Sequence, residues 1–411
     1  MREPQNNDYF PLSEYQERIK RLRALMRGEG MQAVLVSAEP NVVYCTGSLN
    51  GYWVATMHDD AQIALISAEH DEPILFIPDS LEQTAWTSCI SDIRVWSQFT
   101  SGKGKGAVAT IAEALAEYKL LEATVGLEIG PHDRPGLSLP FFEALKASVP
   151  KVSWEDSTNV MKQARQVKSV REIEKFRTAC KITCDAFEAG LDSIKAGVSE
   201  KEIGHIIAME MARMSPDACV IKPWIIFVHA SGRGPCAFDG IPSDYRFQKG
   251  DSVYIDGGFI YQGYGADIIR CATIGSPSAE QERYYYASRD ANMAALKSVR
   301  PGMRGKDLYE AWVQAAYDLG FRDSIENQRQ ADWDFLGHGL GLTVHELPLL
   351  SSTCDDEILP GMVMSLEGNV FDAFPFDKTQ YALKNEENVL VTQQGHEWLS
   401  PLRNDMWIAP A

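Results

Sequence analysis

No run of about 18 apolar residues occurs anywhere in the 411-residue chain, so no membrane-spanning helix is expected. The first twenty residues, MREPQNNDYFPLSEYQERIK, lack an apolar core and predict no secretory leader. Basic residues are in the minority, 39 Lys and Arg against 57 Asp and Glu, for a formal net charge of −18. A surface of that sign repels phosphate backbones, which excludes nucleic acid as an expected partner. A solvated acidic surface is the plain reading of the charge. Cys-x-x-Cys pairs are missing too. Cys45, Cys89, Cys180, Cys184, Cys219, Cys236, Cys271 and Cys354 are scattered, which argues against a thiolate metal site and for reduced, packed thiols in a cytoplasmic protein.

What is present is ordinary for a globular enzyme: 45% hydrophobic and 23% charged residues, in a chain long enough for two or three domains. The first part alternates helix and strand patterns. Tyr15–Arg27 reads as an amphipathic helix, Met31–Ser37, Ala61–Ser67 and Pro73–Ile77 as strands, Ala107–Leu120 as a helix and Thr124–Leu127 as a strand. The composition and patterns predict an α/β chain with a small α/β domain over 1–160 and a second domain over 161–411. Two capping boxes, Ser169-x-x-Glu172 and Ser199-x-x-Glu202, start two helices of the second domain. Ala186–Ile203 aligns without gaps on Ala291–Leu308, placing Gly197 on Gly302 and Leu191 on Leu296. This predicts a duplicated helix–Gly turn–helix unit with sheet between the copies. Ser252–Phe259 and Ala266–Ile274 predict a hairpin, and Met362–Leu366 and Asn388–Thr392 two later strands.

Against these apolar runs stand four acids. Asp256 ends VYI, Asp267 precedes IIRCATI, Glu367 follows VMSL and Glu386 precedes NVLV. A buried carboxylate costs several kcal/mol unless it is paired or bound to metal. Taken singly, each is more often a capped or salt-bridged end residue. Taken together with His338, they suit a shared pair of divalent cations. Oxygen-rich ligands with one imidazole favour Mn²⁺, Fe²⁺ or Co²⁺, with Zn²⁺ also compatible.

The blocks around these residues resemble the pita-bread family of methionine aminopeptidase, prolidase, aminopeptidase P and creatinase. Asp256 and Asp267 stand 267 − 256 = 11 positions apart. Gly265-Ala-Asp-Ile-Ile-Arg270, Gly337-His-Gly-Leu-Gly-Leu-Thr-Val-His-Glu-Leu-Pro348, Pro360-Gly-Met-Val-Met-Ser-Leu-Glu367 and Glu386-Glu-Asn-Val-Leu-Val-Thr392 follow in the family's order. The resemblance covers about residues 155–411, and the region before it resembles the extra domain of prolidase, aminopeptidase P and creatinase. It implies a pita-bread catalytic domain, a duplicated helix pair around a curved antiparallel sheet. It also implies metal ligation by Asp256, Asp267, His338, Glu367 and Glu386, with a nucleophilic water at neutral pH. Glu367 would accept a proton, and His345 would donate to the oxyanion. Relatives with the extra domain usually form homodimers.

Three departures accompany the match. Asp239 stands where the family's peptidases carry a histidine, Lys384 replaces an arginine, and Glu367-Gly-Asn369 replaces Glu-Pro-Gly. Tyr52 and Trp53 lie in a loop that, by resemblance, could face a cationic group. Packing is the commoner use of two adjacent aromatics. His229 is a pocket-lining candidate, with a satisfied core histidine as the alternative. The resemblance therefore predicts a metal-dependent C–N hydrolase of the Xaa-Pro dipeptidase or aminopeptidase type, acting on a short peptide. The departures keep in view a hydrolase or lyase acting on a small zwitterion such as creatine, ectoine or dimethylsulfoniopropionate. A non-catalytic binding module ranks last, because all five ligand positions are filled.

Overall fold

Both predicted capping boxes form. Ser169 Oγ accepts the N–H of Glu172 while the Glu172 carboxylate accepts the N–H of Ser169, and Ser199 and Glu202 repeat the exchange. These contacts satisfy N–H groups that the first turn of a helix otherwise leaves open. The computed structural model describes residues 9–48, 62–97, 106–130, 135–216, 222–234, 240–370, 383–401 and 403–411. The chain divides into two compact units, Met1–Arg165 and Gln166–Ala411.

The first unit carries α1 (Leu12–Gly28), β1 (Ala33–Val36), α2 (Glu39–Thr46), β2 (Ile63–Ser67), β3 (Ile74–Pro78), β4 (Asp92–Trp96), α3 (Ala107–Glu117), β5 (Thr124–Leu127), α4 (Leu139–Ser148) and β6 (Ser153–Asp156). The helix α5 (Thr158–Gln166) follows. Its six-stranded mixed sheet has the order β4-β3-β2-β1-β5-β6. Every residue of β1, β2 and β3 is buried, which explains why these strands read as continuous apolar runs rather than alternating ones. Leu35, Leu65, Phe76, Ile111, Leu115 and Leu145 share its core.

The second unit is built twice over. The pair α6 (Val170–Ser193) and α7 (Glu200–Met214) precedes β7 (Lys222–Ala230), β8 (Ser252–Tyr261), β9 (Tyr264–Gly265) and β10 (Ile268–Ile274). The pair α8 (Ala279–Ser298) and α9 (Gly305–Asp318), followed by α10 (Arg322–Gln330), precedes β11 (Gly337–Gly339), β12 (Glu346–Leu350), β13 (Val363–Leu366), β14 (Glu387–Thr392), β15 (Gly395–Trp398) and β16 (Trp407–Ala409). The two turns match in detail. Gly197 and Gly302 both hold left-handed backbone, φ 85° and 88°. Ile194 and Val299, the last caps of α6 and α8, donate back to Leu191 and Leu296. Ser199 and Arg304 each make an isolated bridge to a later segment, at Arg246 and Glu357. The sequence repeat is therefore a structural one.

Two sheets result. One runs β16-β10-β8-β7 with β9 beside β8, and the other runs β12-β11-β13-β14-β15. The predicted hairpin is the antiparallel β8–β10 pair. Ile269 and Glu386 form an isolated bridge between the two sheets. Tyr254, Ile269, Leu296, Trp312, Leu366 and Val389 belong to one hydrophobic core, so both halves pack on a common interior. Among the described residues no helix is long and apolar enough to cross a membrane.

Candidate metal centre

The five anticipated ligand positions converge where the sheets meet. Asp256 sits inside β8 rather than at a strand end, opposite Ile269 of β10. Asp267 immediately precedes β10, Glu367 follows β13 and Glu386 precedes β14. His338 is the middle residue of β11, held between Leu349 of β12 and Ser365 of β13. Three overlapping sets have donor atoms within 4.8 Å of one another: Asp267 with His338 and His345, His338 with Glu367 and Glu386, and Asp256 with Asp267 and Glu386.

The chemistry of these groups fits divalent cations. His338 is fully buried, and its Nδ1 lies 2.9 Å from the carbonyl oxygen of Gly339. That contact keeps a proton on Nδ1, so Nε2 is the ring nitrogen left to bind a metal once it is deprotonated, the tautomer a metal-binding histidine uses. Nε2 faces Asp267 Oδ2 at 3.4 Å and Glu367 Oε1 at 3.5 Å yet makes no hydrogen bond among the described residues. Asp256 Oδ1 is a second buried donor atom without a hydrogen-bond partner. Orphaned buried polar atoms are rare and need a reason. Here the reason is a set of lone pairs aimed at one small volume.

Electrostatics point the same way. Burial, then the charge of Asp267, raises the Asp256 carboxyl well above the usual carboxylate range. Burial and the three neighbouring acids do the same to Glu386. Burial also raises Asp267, against the opposing pull of His338. Glu367 departs from the pattern. Burial pushes it up, but Lys384 and His338 outweigh that and draw it down to about 2. Although burial opposes its charge, His338 is pushed up to about 10 by Asp267 and Glu367. Four carboxylates crowded in a dry site repel one another, and bound cations reverse the sign of that interaction.

His345 stands at the open side of the cluster, its ring edge-on to His338 with centroids 4.2 Å apart. Burial and the neighbouring imidazole lower its pKa, which favours the neutral ring. Lys384 is buried and donates to Glu367 Oε2 at 2.6 Å, so its ammonium lies against a ligand carboxylate. His229, on β7 opposite Tyr254, is 4% exposed, with Nε2 donating to Gly234 O at 3.2 Å. Gly240 packs close against the His229 side chain, since a Cβ there would come within 2.6 Å of His229 Cβ. It stands outside the three ligand sets. Asp239, Tyr52 and Trp53 lie outside the described residues. The departure at Glu367-Gly-Asn369 has a steric reason. A side chain at Gly368 would put its Cβ 2.3 Å from Trp312 Nε1, so the buried indole occupies the space a proline would need.

Sequence reasoning passed over three polar residues behind the ligands. Tyr254 donates its hydroxyl to Asp256 Oδ2, Ser365 donates to Glu386 Oε1 at 2.6 Å, and Asn388 pairs with the main chain of Asp267. The only sign of them was a polar side chain inside an otherwise apolar strand.

Residues 174–393 match the family described as Metallopeptidase family M24, and residues 18–167 match the Creatinase/Prolidase N-terminal domain. The chain belongs to metallopeptidase family M24. It is 25% identical to a Xaa-Pro dipeptidase of Pyrococcus horikoshii over 392 residues, covering 95% of this chain and 98% of the relative. A Xaa-Pro dipeptidase of Pyrococcus furiosus is 26% identical over 392 residues, covering 95% and 99%. The crystal structure of the prolidase from Pyrococcus horikoshii OT3 superposes with a TM-score of 0.74 at 25% identity, over 95% of this chain and 99% of that one. The M24 match contains all five clustered candidate residues, and the prolidase likeness extends through both units.

Proposed function

We propose that this M24 metallopeptidase is a metal-dependent Xaa-Pro dipeptidase, hydrolysing the C–N bond of a short peptide. The observation that carries the reading is the cluster of Asp256, Asp267, His338, Glu367 and Glu386, in a chain similar along nearly its whole length to two Xaa-Pro dipeptidases. Those five residues would hold two divalent cations, Mn²⁺, Fe²⁺ or Co²⁺ in preference, with Zn²⁺ also suited to the donor set. Such ions supply a water nucleophile at neutral pH and polarise the scissile carbonyl.

The protein's own groups do the rest. Glu367 accepts the proton of the attacking water, and its carboxylate is ionised beside Lys384 and His338. His345, on the open side of the cluster, donates a hydrogen bond to the carbonyl oxygen as charge develops on it. Asp256 and Glu386 would be shared between the two cations, Asp267 would help to hold one, and His338 with Glu367 the other. Lys384 fixes Glu367. Asp239, His229, Lys384, Tyr52 and Trp53 are the proposed substrate-binding residues, Lys384 through the Glu367 carboxylate it holds. The same reading includes a domain division near residue 160, a homodimer and a cytoplasmic location.

Proton NMR of the Mn²⁺-loaded protein tests the function. The pool offered contains Xaa-Pro dipeptides, creatine, ectoine and dimethylsulfoniopropionate. Loss of the dipeptide signals, with free proline appearing, is the expected result. Loss of a zwitterion with the dipeptides intact overturns the proposal and redirects the centre to a small-molecule reaction.

A further inference from the structure

Three of the four clustered carboxylates accept a hydrogen bond from a residue that is not a ligand candidate, Tyr254, Ser365 or Lys384, and the fourth acid, Asp267, is paired through its main chain by Asn388. Two of these partners, Asn388 and Ser365, form a continuous buried link across both sheets. His338, Ser365 and Asn388 lie in register on β11, β13 and β14, so their side chains share one face, and all three are fully buried. Asn388 Nδ2 donates to the carbonyl oxygen of Asp267 at 2.5 Å, and Asn388 Oδ1 accepts the Asp267 N–H at 3.0 Å. The side-chain amide thus pairs with the Asp267 main chain as a peptide group on a neighbouring strand would. Nδ2 also donates to Ser365 Oγ at 3.1 Å, and Ser365 Oγ donates to Glu386 Oε1 at 2.6 Å. Cys180 Sγ lies 3.4 Å from Asn388 Oδ1 and fills its remaining acceptor position.

This row stands where backbone pairing between the sheets is reduced to the Ile269–Glu386 bridge, whose N···O distance is 3.4 Å. Asp267 sits just before β10 and Glu386 just before β14, so the ladder of neither strand fixes its carboxylate. Resting on the metal centre proposed above, we infer that Asn388 and Ser365 are positioning residues: Asn388 clamps the backbone of Asp267, and Ser365 aims Glu386 Oε2 by holding Oε1. Neither touches substrate or cation. Their contribution is to set the separation of two ligands that arrive from different sheets.

The test is a calorimetric titration of Mn²⁺ into the chelator-stripped full-length protein, together with the unfolding midpoint of the metal-free form. It compares Asn388→Ala and Ser365→Ala with Ser252→Ala. Ser252 is equally buried and loses a hydrogen bond from Gln281 when truncated, but that bond touches no ligand. Asn388→Ala and Ser365→Ala are expected to raise the Mn²⁺ dissociation constant roughly 10–100-fold, and Ser252→Ala to leave it within about twofold for a similar fall in midpoint. Wild-type affinity in both test variants overturns the inference, as does a loss of affinity that merely tracks the midpoint in all three. Should Asn388→Ala fail to fold, Ser365→Ala, which removes one oxygen, decides alone. A wild-type protein that takes up no Mn²⁺ overturns this inference and the proposed function together. Weakened Mn²⁺ binding in the variants beside an absence of dipeptide cleavage supports the inference and strikes only the substrate.

Discussion

Glu367 carries the sharpest chemical demand placed on any side chain here. It shares His338 with Asp267, receives the Lys384 ammonium and is the acid whose pKa falls, to about 2, while its three neighbours rise. Replacing it with glutamine keeps the shape and removes the proton acceptor. Glu367→Gln should lower kcat/KM for a Xaa-Pro dipeptide by on the order of 10²–10⁴, with the circular-dichroism spectrum of the metal-free protein unchanged. Full activity would remove Glu367 from the reaction. The proposed ligand positions were legible in the sequence because an acid beside an apolar strand is costly, and four such conflicts, joined by His338 in one motif order, have a shared resolution. The residues behind them were not. A serine in MSLE or an asparagine in NVLV looks like a modest lapse in a strand, and its meaning lies in which residue faces it across the sheet. Lys384 shows the same limit: sequence marks it as a replaced arginine, and only the fold puts it on Glu367.

Elements with strong local chemistry were read closely. The capping boxes located α6 and α7, the buried runs located β1 to β3, and β5 was placed to the residue. The elements passed over have weak signals. Helix α2 is short, begins with Pro40 in its first turn and has no side-chain cap. Strand β6 is Ser-Trp-Glu-Asp, with no fully buried residue. β11 and β16 are three residues each, too brief for a period to show. The repeat adds a testable constraint at this scale. Gly197 and Gly302 hold left-handed backbone at equivalent turns, whereas Gly28 ends α1 with open space and no such demand. Gly197→Ala should cost about 1–2 kcal/mol of stability in urea unfolding, while Gly28→Ala should be neutral or stabilising by up to about 1 kcal/mol. Equal effects at the two sites would show that the turn geometry is not what selects glycine.

Across the whole molecule, the centre crowds together four carboxylates, two buried and two partly buried, and cations that bind only the folded state would relieve their repulsion. Mn²⁺ at about 100 times its dissociation constant should add about 2.7 kcal/mol to stability, which raises the thermal midpoint by roughly 5–10 °C for a unit of this size. Excess chelator should reverse the shift, and scanning calorimetry reads both. An unmoved midpoint would mean that the cluster does not bind the ion. The proposed ligands are also divided between the repeats: Asp256 and Asp267 come after the first helix pair, His338, Glu367 and Glu386 after the second. Neither half-unit alone carries more than part of the proposed donor set, so the centre needs both halves. A modern gene cut between β10 and α8 should therefore yield two silent fragments whose reunion restores the centre.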